Sequence, residues 1–232
     1  MSVPVNLRLA VCLFDDVTSL DYQGPIALFG FLEPEVVKVL PAFKNSTPPK
    51  YTFEISYLAH TLDPVKSSPG PLVVPSRTYD EIKDDEQFDL ILIPGGPSAR
   101  PDSVPKSLLN FIIRQAPGAK HILTVCTGSW VLAGTGLLRG KKATTNKSYF
   151  NFVVKSTETE GIEWIPKARF VINDDDNRKI WTSSGVTAGM DMANAFLEYL
   201  LGKEVTKVIR GVIELSAKEE DEDEFAAYYN LV

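Results

Sequence analysis

Short apolar runs alternate along this chain with longer stretches whose apolar residues recur at helical spacing. That order predicts an α/β protein with a mostly parallel central sheet and helices on both faces. The clearest strand candidates are the apolar runs 7–14 (LRLAVCLF), 88–94 and 120–125, and 51–59 alternates as a half-buried strand should. With 44% hydrophobic residues among 232, the chain can build one sizeable core, so we expect a single domain over residues 1–232.

The remaining patterns complete the expected element order. Pro25 is placed to begin a helix that ends near Leu32, and the four prolines of 33–50 indicate a surface excursion. Further helices are predicted at 105–115, 129–138, 147–156, 187–200 and 203–216. We expect broken strand pieces over 64–82, a strand at 141–145, and a hairpin made of 169–174 and 179–183.

The net charge of −6 argues against a nucleic-acid partner, because a surface that gathers phosphates needs an excess of positive charge. A neutral or cationic small molecule fits better. Residues 1–8 lack the pattern of a secretory signal, and no apolar run is long enough to span a bilayer. We therefore expect a cytoplasmic protein with no membrane partner. Two cysteines and two histidines indicate neither a disulfide framework nor a zinc site.

Cys126 carries the strongest chemical signal. An apolar strand runs into Cys126-Thr127-Gly128-Ser129 and a helix follows, which is the arrangement of a nucleophile elbow. A thiol on such a turn is exposed at the sheet edge, where the helix N-terminus can stabilise a thiolate. Free cysteines are also commonly buried, so a packed, inert thiol at a strand end is the other reading.

Two further loops should meet Cys126, because the carboxyl ends of parallel strands lie at one edge of a sheet. Gly95 and Gly96 follow one strand, and their N–H groups, with that of Thr127, could form an oxyanion hole. Asp21 follows the first strand. A carboxyl group held near the thiol would have a raised pKa and could carry a proton near neutral pH, although Asp21 could equally be a solvated turn residue.

Other candidates are weaker. His121 begins the strand that ends at Cys126, roughly 16 Å away, and His60 is a surface or packing residue, so a Cys–His triad is not expected. Cys12 belongs to the core. The acidic block 219–224 is expected to be a solvated linker. The tail 225–232, which carries Phe225, Tyr228 and Tyr229, can dock or stay loose, and Trp130 is either core filler or a pocket wall.

Five segments together resemble the ThiJ/PfpI superfamily of class I glutamine amidotransferase-like proteins. They are Phe14–Pro25 (FDDVTSLDYQGP), Ile93–Gly96 (IPGG), Val125–Ser129 (VCTGS), Gly136–Thr145 and Ser184–Asp191. The resemblance covers about residues 7–215 and implies a flavodoxin-like three-layer sandwich with a nucleophile elbow at Cys126. The aspartate at Asp21 and the Cys-Thr-Gly-Ser turn look most like the isocyanide (isonitrile) hydratase branch.

That resemblance implies hydration of R–N≡C to an N-substituted formamide by a homodimer that uses no metal or organic cofactor. Cys126 would attack the isocyanide carbon and Asp21 would manage the proton. Thr127 would hold the aspartate or the substrate, Gly96 would supply a backbone N–H, and Val186 would line the pocket.

The chain departs from the branch at one position of the expected pocket. Asn146 stands where branch members commonly have histidine, and an amide cannot act as a base near pH 7. Two other functions therefore stay open. One is a glyoxalase-type enzyme acting on small reactive aldehydes, and the other is an oxidative-stress sensor in which Cys126 becomes a sulfinate.

Overall fold

A computed structural model describes residues 4–44 and 48–232. Its central feature is a seven-stranded sheet with the strand order β10-β11-β7-β6-β1-β2-β5. All neighbouring strands are parallel except β10 and β11, which form the expected antiparallel hairpin at one edge. The strands are β1 (Val5–Cys12), β2 (Tyr51–Ala59), β3 (Val65–Lys66), β4 (Leu72–Val73), β5 (Arg77–Thr78), β6 (Leu90–Ile93), β7 (His121–Thr124), β8 (Lys142–Ala143), β9 (Glu163–Trp164), β10 (Phe170–Ile172) and β11 (Ile180–Ser183).

Helices surround this sheet, which confirms the predicted α/β architecture. Helix α1 packs against α7 and α7 against α8, whereas α4 contacts α5. The helices are α1 (Ser19–Phe29), α2 (Pro34–Val39), α3 (Pro41–Lys44), α4 (Lys106–Gln115), α5 (Gly128–Ala133), α6 (Phe150–Ser156), α7 (Ala188–Leu201), α8 (Lys203–Val212) and α9 (Phe225–Tyr228). Short 3₁₀ turns occupy Gly30–Leu32, Lys147–Tyr149 and Asp175–Arg178.

The core explains why the central strands read as continuous apolar runs. Every residue of β6 is fully buried and so are Leu9, Ala10 and Val11 of β1, because both faces of these strands are covered. Phe29, Phe53 and Phe196 pack edge to face beside the sheet. This rigid centre fixes the carboxyl ends of β1, β6, β7 and β11 next to one another, and the loops that follow them build one site.

Three helix predictions were wrong at their boundaries. Helix α8 ends at Val212 instead of Ser216. Helix α1 begins at Ser19, so Pro25 lies inside it instead of opening it. The first turn is fixed by hydrogen bonds from Thr18 N–H to Gly95 O (2.9 Å) and from Asp21 N–H to Thr18 O (3.1 Å). Helix α5 ends at Ala133 instead of Leu138, because Gly136 takes a left-handed φ of +77° that an α-helix cannot continue through.

The excursion predicted over 33–50 is partly helical, since α2 and α3 fall within it, and its residues 45–47 lie outside the described part. The predicted strand at 141–145 is real but pairs with β9 in a separate two-stranded sheet. The acidic segment 219–224 is not uniformly solvated, because Asp223 is buried. Across residues 4–44 and 48–232, no helix combines the length and apolarity needed to cross a bilayer.

Candidate active site

Cys126 sits on a sharp turn between β7 and α5. Its φ of +59° is left-handed, a conformation that costs a non-glycine residue about 1–3 kcal/mol and persists only where the surroundings enforce it. Here the Cys126 N–H donates to the carbonyl oxygens of Ser183 (3.2 Å) and Ser184 (3.1 Å). Ser129 Oγ and Thr145 Oγ1 donate to the Cys126 carbonyl oxygen. Hydrogen bonds to both the N–H and the carbonyl oxygen of Cys126 therefore hold the turn in place.

Gly128 makes the turn sterically possible. A Cβ at this position would lie 2.2 Å from the Ile93 carbonyl oxygen and 2.8 Å from that of Pro94. The helix after Cys126 thus starts directly against the end of β6. The geometry of a nucleophile elbow, with a strained residue between a strand and a helix, is present.

Asp21 approaches the thiol from the first turn of α1. Its side chain is fully buried, and its Oδ2 accepts a hydrogen bond from Gly95 N–H at 3.0 Å. Its Oδ1 has no hydrogen-bond partner among the described residues. Burial raises the pKa of Asp21 to about 7, while the Gly95 N–H and the Cys126 thiol act in the opposite direction. The loop after β1 therefore brings Asp21 to Cys126 as expected, and as a carboxyl group that titrates near neutrality.

The sulfur of Cys126 is almost completely enclosed, with 6% of the residue exposed. Burial, followed by the negative charge of Asp21, raises the pKa of the Cys126 thiol to about 12. Hydrogen bonds from Asn146 and Thr127 oppose that shift. The thiol is thus neutral at pH 7, contrary to the thiolate expected from the helix N-terminus. Helix α5 has only six residues, and desolvation outweighs the stabilisation it offers.

Asn146 contacts the sulfur of Cys126 through its side-chain amide. Its Nδ2 donates to Cys126 Sγ at 3.2 Å. The orientation of the amide is fixed because Asn146 Oδ1 accepts from Ser148 N–H (2.9 Å) and Ser148 Oγ (2.6 Å). Gly185 leaves room for it, since a Cβ there would lie 2.6 Å from Nδ2. The chain therefore presents a fixed N–H donor to the sulfur at the position where the resemblance implied a histidine in other branch members.

Thr127 and the glycine pair form a linked cluster, although not the free oxyanion hole we expected. Gly95 N–H is taken by Asp21, and Gly96 N–H donates to Thr127 Oγ1 at 3.1 Å. Thr127 Oγ1 lies 3.2 Å from Gly96 O and 4.0 Å from Cys126 Sγ. The backbone N–H of Thr127 interacts with the Cys126 sulfur. The glycines thus position Asp21 and Thr127, and their own N–H groups are occupied.

Two cavities flank these residues. One of about 200 Å³ is lined by Asn146 and Val186, and the other, of about 230 Å³, by Gly96, Thr127 and Trp130. The three residues predicted to line a single pocket, Val186, Trp130 and Asn146, are therefore divided between the two cavities. Trp130 is buried, packs edge to face on the exposed Phe152 and lines the second cavity, so of the two roles considered for it the structure favours the pocket wall.

The other candidates lie elsewhere. His121 contacts Phe196 and Tyr199, and His60 hydrogen-bonds Ser107 Oγ, so neither reaches Cys126. Cys12 is fully buried, and burial raises its pKa. In the described parts of the chain, no group of three His, Cys, Asp or Glu side chains could hold a metal ion.

Comparison with known proteins decides the family. A model described as the DJ-1/PfpI family matches residues 7–199. The chain belongs to the DJ-1/PfpI family. The superfamily resemblance found in the sequence is thereby confirmed, and the site described above lies within the matched range.

Relatives in the DJ-1/PfpI family carry different names. The isonitrile hydratase of Pseudomonas putida is 31% identical over 204 residues, covering 88% of this chain and 76% of that protein. The glutathione-independent glyoxalase DJR-1.2 of Caenorhabditis elegans is 27% identical over 153 residues, covering 66% and 76%. A crystal structure of a ThiJ/PfpI family protein from Pseudomonas syringae matches with a TM-score of 0.74 at 24% identity, covering 99% of this chain and 87% of that one. The last match confirms the fold alone.

Sequence reasoning missed the C-terminal side of the site. Lys147, next to Asn146, is buried with its Nζ 3.1 Å from Asp223 Oδ2, and the two side chains are 2% and 0% exposed. Phe225 and Tyr229 line the same cavity as Asn146 and Val186. The available signals were Lys147 next to Asn146 and the aromatic residues Phe225 and Tyr229 after the acidic block 219–224. Neither signal has a spacing that identifies its partner.

Proposed function

We propose that this protein is a cysteine-dependent hydratase that converts isocyanides, R–N≡C, to N-substituted formamides. The observation that carries the proposal is the buried Asp21 carboxyl group, with a pKa of about 7, beside the neutral thiol of Cys126. The 31% identity to a protein named isonitrile hydratase supports it. The arrangement matches a reaction whose first step needs both a nucleophile and a proton at one carbon atom.

In that step the thiol adds across the terminal isocyanide carbon. The sulfur of Cys126 forms a bond to this carbon, and the thiol proton reaches the same carbon through Asp21, giving the thioimidate R–N=CH–S–Cys. Asp21 accepts the proton as the sulfur attacks and delivers it to the carbon, so it ends the step ionised as it began. A carboxyl group with a pKa near 7 is suited to both transfers.

Water then completes the hydration. Asp21 takes a proton from a water molecule as the water oxygen bonds to the thioimidate carbon, and it then passes this proton to the nitrogen, giving the adduct R–NH–CH(OH)–S–Cys. The C–S bond of this adduct breaks, the hydroxyl proton passes through Asp21 to the leaving sulfur, and R–NH–CHO is released with the thiol restored. The balance is one isocyanide and one water to one formamide. Thr127 and Asn146 stabilise the leaving sulfur through their hydrogen bonds to it.

The two other functions fit the site less well. For a glyoxalase-type reaction on aldehydes, no histidine in the described residues is near Cys126 to move protons between carbons. For an oxidant sensor, the 6% exposure and the raised pKa of the Cys126 thiol oppose the accessible thiolate that oxidants attack. Both remain as outcomes of the experiment below.

The test is a turnover assay with a simple alkyl isocyanide, in which formamide is followed by proton NMR. We expect turnover by the wild type and none by Cys126→Ala. Asp21→Asn should lose most of the activity, whereas Asp15→Asn should keep it, because Asp15 is an exposed carboxylate in the loop between β1 and α1. Wild-type turnover no greater than that of Cys126→Ala would refute the proposal. Lactate formed from methylglyoxal would support the glyoxalase function, and a gain of two oxygens at Cys126 under mild peroxide would support the sensor.

We also propose that the protein works as a cytoplasmic homodimer, as the resemblance implies. Tyr149 and Phe152 are 50% and 56% exposed and line the cavity that Thr127 and Trp130 share. Their position next to the site supports an interface there. Light scattering after size exclusion tests it, with a dimer expected for the wild type and a shift toward monomer for Phe152→Glu.

A further inference from the structure

Residues of the C-terminal segment form part of the wall of the cavity beside Asn146. Phe225 and Tyr229 of the α9 region line this space together with Asn146 and Val186. The Asn146 amide that lines the cavity also contacts Cys126 Sγ at 3.2 Å. Cys126 itself does not line this cavity, so the Asn146 amide is the link between the cavity and the reacting sulfur.

The segment that carries the wall is anchored to the domain by polar contacts. Arg169 N–H donates to the Glu220 carbonyl oxygen at 2.7 Å, and Lys218 N–H donates to Asp191 Oδ1 at 3.0 Å. Arg169 and Asp191 themselves form a buried ion pair. The start of the segment is thus held at the base of α7.

A second anchor lies nearer the aromatic residues. Asp223 Oδ1 accepts from the Phe225 N–H at 2.9 Å, and its Oδ2 faces Lys147 Nζ at 3.1 Å. The Lys147 ammonium group and the Asp223 carboxylate thus form an ion pair whose two side chains are buried. Phe225 is therefore fixed by the residue that neutralises Lys147.

The charge balance of the cavity defines what it can hold. Lys147 also lines it, but its ammonium group faces Asp223 and donates to Thr144 Oγ1 (2.7 Å) and Ala168 O (2.9 Å). Its charge is compensated and its donors are engaged, so it offers little attraction to an anion. The rest of the lining is made of hydroxyl, amide, apolar and aromatic groups.

We infer that Phe225 and Tyr229 determine substrate specificity, and that the site takes an uncharged substrate with an apolar, preferably aromatic, substituent packed against these two rings. This inference rests on the proposed function in taking Cys126 as the reacting group. It adds the chemical class of the substituent R and the residues that recognise it. The two rings are 42% and 41% exposed, which leaves apolar surface free to pack against a ligand.

The experiment uses two readouts. The first is the ratio of kcat/KM for benzyl isocyanide to that for methyl isocyanide. The second is the ratio of the rates at which N-benzyl and N-methyl iodoacetamide alkylate Cys126 at pH 9, followed by peptide mass spectrometry. The alkylation ratio requires no turnover, so it tests the wall even if the protein does not hydrate isocyanides.

Both ratios should exceed one in the wild type and fall about three- to ten-fold in Phe225→Ala and in Tyr229→Ala, the amount expected for one lost aromatic contact. Tyr228→Leu is the matched control. Tyr228 belongs to the same short helix, is 73% exposed, and contacts Tyr229 without lining the cavity. It should leave both ratios unchanged.

Two results would overturn the inference. One is an alkylation ratio that stays at the wild-type value in both alanine variants. The other is an equal fall in Tyr228→Leu. If Phe225→Ala does not fold, Phe225→Leu keeps an apolar wall without the ring, and its ratio should fall as well. If the protein does not turn over isocyanides but its alkylation ratio still depends on the two rings, the proposed function is refuted. The role of Phe225 and Tyr229 in the cavity wall is then supported.

Discussion

The amide nitrogen of Asn146 lies 3.2 Å from the sulfur of Cys126, and the amide oxygen is held by Ser148. An amide fixed in this way can only donate to the sulfur, so it favours the thiolate form over the thiol. It partly offsets the burial and the charge of Asp21 that raise the pKa of Cys126. Asn146 thus serves the sulfur as a hydrogen-bond donor and not as a base.

Removing this donor should make the thiol harder to ionise. We expect Asn146→Ala to raise the pKa of Cys126 and to slow its alkylation by iodoacetamide at pH 9 about ten-fold, because a hydrogen bond to a charged group contributes roughly 1.5–3 kcal/mol. Gly185→Ala should also raise the pKa of Cys126 and slow its alkylation, although residue 146 itself is not substituted. The reason is that the added Cβ would lie 2.6 Å from the Asn146 amide nitrogen. Unchanged alkylation in both variants would mean that the contact has no influence on the thiol.

Asp21 gives the site its dependence on pH. In the proposed reaction the carboxylate form of Asp21 accepts the thiol proton, so kcat/KM should rise with pH through about 7 and then level off, following the pKa of Asp21. Asp21→Asn should lose this inflection together with turnover. It should nevertheless alkylate faster than the wild type at pH 9, because the charge that opposes the Cys126 thiolate is gone. Alkylation as slow as in the wild type would contradict the electrostatic coupling of the pair.

The same carboxyl group should also affect stability. The folded pKa of Asp21, about 7, lies above the unfolded value of 3.8, so the folded state holds its proton more tightly. The contribution of this bound proton to the free energy of unfolding is fully present below pH 3.8 and is lost as pH rises through about 7. The contribution is of the order of 4 kcal/mol. Urea unfolding at pH 5 and pH 8 should therefore show Asp21→Asn gaining stability relative to wild type at the higher pH.

Much of this arrangement could be predicted from the sequence. Buried parallel strands are continuous apolar runs, so β1, β6 and β7 were identifiable, and the alternating pattern of 51–59 identified β2. The edge where the loops of these strands meet followed from them. Asp21 and Cys126 do come together there. The neutral state of the Cys126 thiol could not be predicted, because desolvation depends on how completely other segments cover the sulfur. The buried Lys147–Asp223 pair joins residues 76 positions apart, and local sequence patterns carry no information about such a contact.

Gly128 should be indispensable to the turn. Gly128→Ala would place a Cβ 2.2 Å from the Ile93 carbonyl oxygen, which belongs to the rigid end of β6 and cannot move aside. We expect a loss of about 2–4 kcal/mol in unfolding free energy and loss of Cys126 reactivity. Gly211→Ala is the matched control, since nothing lies within 4 Å of its Cβ position and it occupies α8, where alanine should stabilise by up to about 1 kcal/mol. Equal melting temperatures for the two variants would contradict this account.

The Lys147–Asp223 pair offers a test of why two charges are buried beside the site. Asp223→Asn leaves the ammonium group of Lys147 buried without its counter-charge, and breaking such a pair costs about 3–5 kcal/mol. Lys147→Met with Asp223→Leu removes both charges and should recover most of that loss, because the desolvation cost of each charge disappears as well. Denaturant midpoints of the three proteins measure this. If the pair instead serves to position Phe225, the double variant will be stable yet will lose the preference for benzyl over methyl iodoacetamide, since the hydrogen bond from Phe225 N–H to Asp223 Oδ1 is then absent.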